Sequence, residues 1–416
     1  MKKLVLILIL ISLSLTVFSV KLTVTAPYAE MLAFLQEKAT EFSEINPDVE
    51  IEVIQEPEGG QIAALIAAGN APDVFVGVFG YMPEKYATMG KLVDLSKLEG
   101  FTDLETNIYN GMHYSDDGGV YFMPWMLTTQ MLIYNADLFR EAGLDPDKAP
   151  ETFDEFLEYA EKISELPNRA DGSKVYGTVF WNDALVWGGW YWTMLSQIYY
   201  NFNNGEYGLF DDFGLDVVFN QPEANMKGFM EFCKKAQEFA PLNMEKNFFS
   251  RTIGMWLQYG YSWKPNLMNA KDEPMTIGED VRVAPIPVSN KSWNHWSTLD
   301  GRSLMVFKSN REKEMASWNF IKFLIEDENN LEACKILGYL PSLSSLKENE
   351  YFKTPENAPF VAQLEHAIPN EAVAQLDEIS NLLLSVYAEA VVKKSMDISE
   401  GINLAAEEAK TILLGK

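Results

Sequence analysis

Cysteine and histidine are scarce in this chain, two and three residues respectively among 416. Cys233 and Cys334 stand 101 positions apart with no CxxC or Cys/His spacing, so neither a zinc site nor a disulfide scaffold is suggested. Both read as small core residues. His113, His295 and His366 have no metal-ligand spacing and no Ser or Cys nucleophile signature beside them, and His295, between Trp293 and Trp296, reads as a surface or satisfied loop residue. No GxxxxGK(S/T) segment occurs, so ATP chemistry would belong to a partner, and no motif implies a cofactor or a metal. Basic residues are few as well: 33 Lys+Arg oppose 60 Asp+Glu, a net charge of −27 with a pI near 4.5. Counterion release needs clustered cations, which argues against nucleic acid and anionic membranes as partners. Beyond the first twenty residues no run has the length and apolarity of a membrane span, and no solenoid-period repeat occurs.

Apolar residues are abundant instead, at 47%, and aromatic ones reach 13%. A chain of this length and composition buries a large core and divides into more than one domain. Lys2 and Lys3 precede an uncharged apolar stretch from Leu4 to about Val20, the order of a secretory signal with cleavage near Ser19/Val20. The alternative is an N-terminal membrane anchor, since the stretch approaches the roughly 17 residues a short span requires. A strand-like segment, Lys21 to Thr25, begins at once and favours cleavage, and no Cys lies nearby to carry a lipid. Residues 1–19 are therefore expected to be removed, leaving 31 basic against 60 acidic residues, a charge of −29. The mature protein is expected to be exported, soluble and monomeric.

Lys21 to Thr25 alternates as a strand, and Met31, Phe34, Leu35, Lys38, Ala39 and Phe42 then follow helical spacing until Asn46-Pro47. Val49 to Ile54 is a second strand, Ile62 to Ala68 a short helix and Val74 to Val78 a buried strand. This alternation predicts an α/β layer with parallel strands and a ligand crevice beyond their carboxyl ends. A second α/β pattern starts at Met131 to Tyr134, and Thr152 with Glu155 fits a capping box opening a helix with Phe153, Phe156, Leu157, Ala160 and Ile163 on one face. Further helices are predicted over Glu223 to Phe239, Glu312 to Ile325 and Glu328 to Leu337, with two more between Glu371 and Leu414. Val281 to Ala284 and Ser303 to Phe307 read as strands returning to sheets already begun.

Several segments stand in a telling order: Gly69-Asn70-Ala71-Pro72-Asp73-Val74, Gly90-Lys91-Leu92-Val93-Asp94-Leu95, and Gly119-Val120-Tyr121-Phe122-Met123-Pro124-Trp125. Leu132-Ile133-Tyr134-Asn135-Ala136-Asp137-Leu138-Phe139 follows, then Glu141-Ala142-Gly143-Leu144 and Pro150-Glu151-Thr152-Phe153. Val283-Ala284-Pro285-Ile286-Pro287 and Gly338-Tyr339-Leu340-Pro341 come later. Together they resemble the extracellular solute-binding proteins of bacterial ABC importers, the maltose- and oligosaccharide-type receptors, across essentially the whole mature chain. The resemblance implies a two-lobe periplasmic-binding-protein fold, each lobe a mostly parallel sheet flanked by helices, with a three-crossing hinge. The crossings fall near Met126 to Thr129, Trp296 to Leu299 and Leu337 to Leu343. The first lobe is then residues 20–127 and 299–340, and the second 128–298 and 341–416.

Eight of the ten Trp fall between Trp181 and Trp296, where even scatter would place about three. A sugar ring offers a C–H face to an aromatic plane and hydroxyls to polar groups around it, so this excess suits a carbohydrate cleft, and core packing is the competing account. Trp181 and Trp190 are the candidates here, while Trp187, Tyr191 and Met194 share core-like helical spacing. By resemblance, the run from Gly254 to Trp263 corresponds to a segment whose terminal aromatic stacks on ligand, which points to Tyr261 or Trp263, and Trp256 in the same run is a further candidate. Gly254 and Tyr261 depart from the usual pattern of that segment and leave the stacking residue open. Tyr28, Phe79, Gly80 and Tyr81 follow the first and third strands at the cleft edge. Trp125, Thr128 and Thr129 lie at one expected crossing and Asp300, Gly301 and Arg302 at another, where an Asp-Arg pair fixes sugar hydroxyls or serves as a hinge ion pair.

Two other ligands or activities compete. The turn Pro57-Glu58-Gly59-Gly60-Gln61 opens a helix whose N–H groups, with Arg302, would suit a sugar phosphate, glycerol phosphate or inositol phosphate, although Glu58 and the acidic balance oppose it. A secreted glycoside hydrolase would also be acidic and aromatic-rich, but it needs two carboxylates about 5 to 10 Å apart in a catalytic setting, and no recognisable motif supplies them. The sequence reads as a non-enzymatic receptor that captures a sugar or oligosaccharide and delivers it to an ABC permease.

Overall fold

Strand β1 (Val20–Ala26) lies between β2 (Val49–Gln55) and β3 (Val74–Gly77), parallel to both, with Val24 opposite Val53 on one side and Val74 on the other. Helices Ala29–Ile45 and Gln61–Ala67 make the crossovers. This is a computed structural model, and it describes residues 19–57, 61–242, 248–260 and 274–415. Residues 1–18 of the expected signal sequence (1–19) lie outside them. The buried stripe of the first helix is Met31, Phe34, Leu35, Lys38, Ala39 and Phe42, the set its 3.6-residue period predicts. Lys38 is tolerated there because its ammonium reaches Glu332 at 2.6 Å and Glu41 at 2.9 Å. Asp73, just before β3, accepts the Thr23 N–H at 2.9 Å and pairs with Lys313 at 3.0 Å, tying β1 and β3 to the helix Arg311–Ile325.

The long strand β4 (Met123–Asn135) is buried along all thirteen residues. Its opening half pairs with β8 (Ser297–Val306), and its closing half with β6 (Ile253–Gly260) and β7 (Val281–Ala284), all antiparallel. A short β5 (Tyr176–Thr178) runs parallel to β6 at the far edge, giving the order β2-β1-β3-β8-β4-β6-β5. The sheet is thus mixed. Crossover helices make β1, β2 and β3 parallel, whereas β8 returns from far along the chain and enters antiparallel between β3 and β4.

The three expected crossings stand side by side: Thr129 opposes Leu299, while Leu127 opposes Leu340 of β9 (Leu340–Pro341). A further segment, β10 (Ala367–Pro369), runs parallel to β8 over Ser297 to Leu299 and was not anticipated. Alternation along β4 divides its side chains between two apolar clusters: Met131 and Ile133 join the one built on β1, β3 and the helix Ala29–Ile45. Leu132 and Tyr134 join the one built on the helices Gly188–Tyr200, Met226–Ala236, Leu376–Val386 and Ile398–Leu413.

The helix expected from Glu223 begins only at Met226, because Asn225 adopts a left-handed conformation (φ 54°) and donates its amide to the Phe202 carbonyl at 3.0 Å. Thr152 caps its helix through the Glu155 N–H at 3.2 Å, but the Glu155 carboxylate reaches back to Glu151 N–H, one residue earlier than a strict capping box. No helix among the described residues is long and apolar enough to cross a membrane.

Candidate functional site

The carboxyl ends of β1, β2 and β3 place Tyr28, Glu56 and Gly80-Tyr81 on one rim. Because Gly77 opposes Ser303, the antiparallel β8 brings Asp300 and Arg302 to the same rim. The Arg302 guanidinium lies 5.5 Å from the centre of the Tyr28 ring, and its Nε donates to the Tyr339 hydroxyl at 3.0 Å. The Tyr28 hydroxyl also donates to Tyr339 Oη, at 3.4 Å. Among the described residues no ion pair joins Arg302 to a carboxylate. Burial opposes its charge, yet Tyr339, Tyr28 and Asp300 keep its pKa above the ordinary value. Burial raises the Asp300 carboxyl, and Arg302 offsets part of that effect. Glu56 is raised for the same reason, again partly offset by Arg302. Burial also pushes the Tyr81 phenol up, with Asp377 and Asp300 adding to the effect.

The facing wall begins at helix Gly188–Tyr200. Its Gly189 N–H donates to Asp377 Oδ1 at 2.8 Å, and a side chain there would start 3.1 Å from the Tyr81 ring. Gly80 has φ +72° and a Cβ at this position would stand 2.7 Å from Asn370, so glycine is required on both counts. Beside Gly189, Trp181, Trp187 and Trp190 pack mutually with ring centres 5.0 to 5.6 Å apart. Trp187 remains 51% exposed at the rim. Two buried polar atoms close to these contacts, Asp300 Oδ1 and Asn370 Nδ2, have no hydrogen-bond partner. Asn370 Oδ1 accepts from Thr193 Oγ1 at 3.1 Å.

Of the residues expected from sequence, Tyr28, Tyr81, Asp300 and Arg302 come together, Gly80 touches the opposite wall, and Trp181 and Trp190 belong to the indole cluster. Three expectations are corrected. Trp125 is fully buried against Phe34, because alternation turns it to the inner side of β4. Trp256 is fully buried beside Phe249 and Tyr259, since alternation along β6 turns it away from the helix Gly188–Tyr200. Phe79 stacks on Phe122 in the core. Thr128 and Thr129 are buried within β4, with Thr129 donating to the Phe360 carbonyl, and Gly301 is packed backbone to backbone against Met126. Tyr261, Trp263 and the Glu58-Gly59-Gly60 turn lie outside the described residues.

Sequence reasoning missed Glu56, Trp187, Tyr339, Asn370 and Asp377 as site residues. Tyr339 stood inside a quoted motif, whereas Asn370 follows a three-residue strand that carries no periodic signal. His295 is satisfied structurally, its Nδ1 lying 2.6 Å from the Ile286 carbonyl. Among the described residues, no group of three or more His, Cys, Asp or Glu is arranged to hold a metal ion.

Residues 25–331 match the family model described as bacterial extracellular solute-binding protein. The sn-glycerol-3-phosphate-binding periplasmic protein UgpB of Escherichia coli K12 is 27% identical over 328 residues, covering 73% of this chain and 69% of that protein. Its counterpart from Salmonella typhimurium is 26% identical over 335 residues, with 74% and 71% covered. Among solved structures, maltose-bound T. maritima MalE3 matches with a TM-score of 0.75 and 25% identity, over 94% of this chain and 99% of that one. A Thermotoga lettingae ABC transporter solute-binding protein bound with α-D-tagatose gives a TM-score of 0.77 at 20% identity, over 95% and 100%. The fold is the α/β two-lobe architecture of periplasmic binding proteins.

Proposed function

The chain belongs to the bacterial extracellular solute-binding proteins, and on that premise we propose that it captures a neutral sugar or oligosaccharide between its lobes and hands it to the permease of an ABC importer. It is a binding protein and not an enzyme. The observation that carries the sugar reading is the three-indole cluster of Trp181, Trp187 and Trp190 beside the rim where Asp300 Oδ1 is buried without a partner. Indole faces suit the C–H face of a sugar, and unpaired buried polar atoms suit its hydroxyls. The maltose carried by MalE3 is in keeping with this.

The proposed contacts are Tyr28, Tyr81, Asp300 and Arg302 from the first lobe (20–127 and 299–340). From the second lobe (128–298 and 341–416) come Trp181, Trp190 and the predicted Tyr261 or Trp263. A ligand touching both walls favours the closed state by its differential affinity, and one touching a single wall does not. Export by cleavage of residues 1–19 and action as a soluble monomer complete the reading.

A phosphorylated ligand is the second reading, favoured by Arg302, which has no carboxylate partner among the described residues, and by the glycerol phosphate bound by UgpB. Against it, a phosphate on Arg302 would face both Asp300 and Glu56. Thermal-shift and calorimetric screening decides between them, with mono-, di- and oligosaccharides set beside glycerol and inositol phosphates. A neutral sugar is expected to raise Tm with the logarithm of 1 + [L]/Kd. Stabilisation by phosphorylated compounds alone, abolished by Arg302→Ala, would replace the sugar reading, and turnover of a sugar without a stable complex would overturn the receptor reading.

A further inference from the structure

Strand β10 runs parallel to β8 with Pro369 opposite Leu299, so Asn370, the first residue past β10, follows beside Asp300 of β8. Residues opposite one another on paired strands share a face of the sheet. Both side chains are more than nine-tenths buried, yet Asp300 Oδ1 and Asn370 Nδ2 are not bonded to each other or to any other group. One is an acceptor and the other a donor. Leaving both unpaired in the interior costs stability, and native proteins rarely accept that without a use.

The surroundings place the pair between the two walls. Asn370 touches Gly80 through its main chain and accepts from Thr193 of the helix Gly188–Tyr200 through its Oδ1. Asp300 acts electrostatically on Tyr81, the next residue after Gly80. With Thr193 Oγ1 donating to Asn370 Oδ1, Nδ2 is left as the free donor.

We propose that Asp300 and Asn370 form a hydroxyl-reading pair, in which one ligand hydroxyl donates to Asp300 Oδ1 and accepts from Asn370 Nδ2. A hydroxyl offers a donor and an acceptor on one atom, as the pair demands, while a dianionic phosphate oxygen has no proton for Asp300. Asn370 is thereby a specificity-determining residue, and the ligand presents a free hydroxyl at this point. The inference rests on the neutral-sugar reading but is tested separately from it.

Calorimetry on the full mature chain with maltose, mannotriose, D-tagatose and sn-glycerol 3-phosphate as probes supplies the test. For any probe that binds, Asp300→Asn and Asn370→Asp should each weaken binding about tenfold or more, since a charged or buried hydrogen bond is lost. The double exchange, Asp300→Asn with Asn370→Asp, restores one donor and one acceptor and should return affinity to within a few-fold. Single variants that bind as tightly as the unmodified protein overturn the pair. If only sn-glycerol 3-phosphate binds, the sugar reading fails, while the pair stands or falls on the same variants through the glycerol hydroxyls. Should no probe bind, the ligand-free melting temperature decides. Asp300→Asn removes a buried carboxylate whose Oδ1 has no hydrogen-bond partner and should raise Tm by about 1–2 °C, whereas a fall marks a structural role and overturns the proposal.

Discussion

Glu371 accepts the Leu209 N–H at 2.9 Å and the Phe210 N–H at 2.9 Å and has no cation partner among the described residues. Burial pushes its pKa up to about 7, and the two N–H groups only partly offset that. Between pH 4.5 and 7 the folded chain therefore holds a proton that the unfolded chain releases, so this residue's contribution to stability grows as pH falls through that window. Glu371→Gln should remove the increment, on the order of 2 kcal/mol, which urea melts of both proteins at pH 5 and pH 8 would reveal. A pH-independent difference between them would refute this. The aromatic residues divide equally sharply. Trp125→Ala opens a core cavity and should cost about 3–5 kcal/mol, whereas Trp190→Ala should leave melting within a few degrees and weaken ligand binding. Composition located the Trp-rich stretch but could not sort its members. Trp256 lies in a buried strand and Trp187 at the mouth of a helix, and that difference arises from strand alternation and from the helix starting at Gly188.

At the scale of elements, periodicity was most informative where a segment is long and packs on one side. The helices Ala29–Ile45, Arg311–Ile325 and Asp327–Leu337 match their expected spans to within a residue or two, except at the start of the first, where the chain gave no stated boundary. Short segments gave no such signal: β10 has three residues and β9 two, and both are held in the sheet by neighbours remote in sequence. For β4 the expectation covered only Met131 to Tyr134 of thirteen residues, because a strand buried on both faces loses its alternation. Thr152 offers a direct check on local reading. Its side chain satisfies the Glu155 N–H, so Thr152→Ala should cost about 1 kcal/mol, visible as a small fall in Tm with ligand affinity unchanged. An equal fall in affinity would mean that this helix is coupled to the cleft.

At the scale of the whole molecule, the walls approach closely at Gly80 against Asn370 and at Gly189 against Tyr81. Neither contact was legible in the sequence, because each glycine is meaningful only once the opposite wall is known. Gly189 separates closure from folding better than Gly80. It lies in the first turn of a helix, where a larger residue is tolerated by the backbone, whereas Gly80 also needs its positive φ. Gly189→Leu should therefore fold with near-normal stability but drive a side chain into the space of the Tyr81 ring. The closed state then becomes less favourable by the strain of displacing that ring, and ligand affinity falls by the same free energy, since binding and closure are linked. The expected result is affinity weakened about tenfold or more, together with loss of the ligand-induced decrease in radius of gyration in solution scattering. Undiminished affinity with a normal decrease would show that the Gly189–Tyr81 contact is incidental to closure.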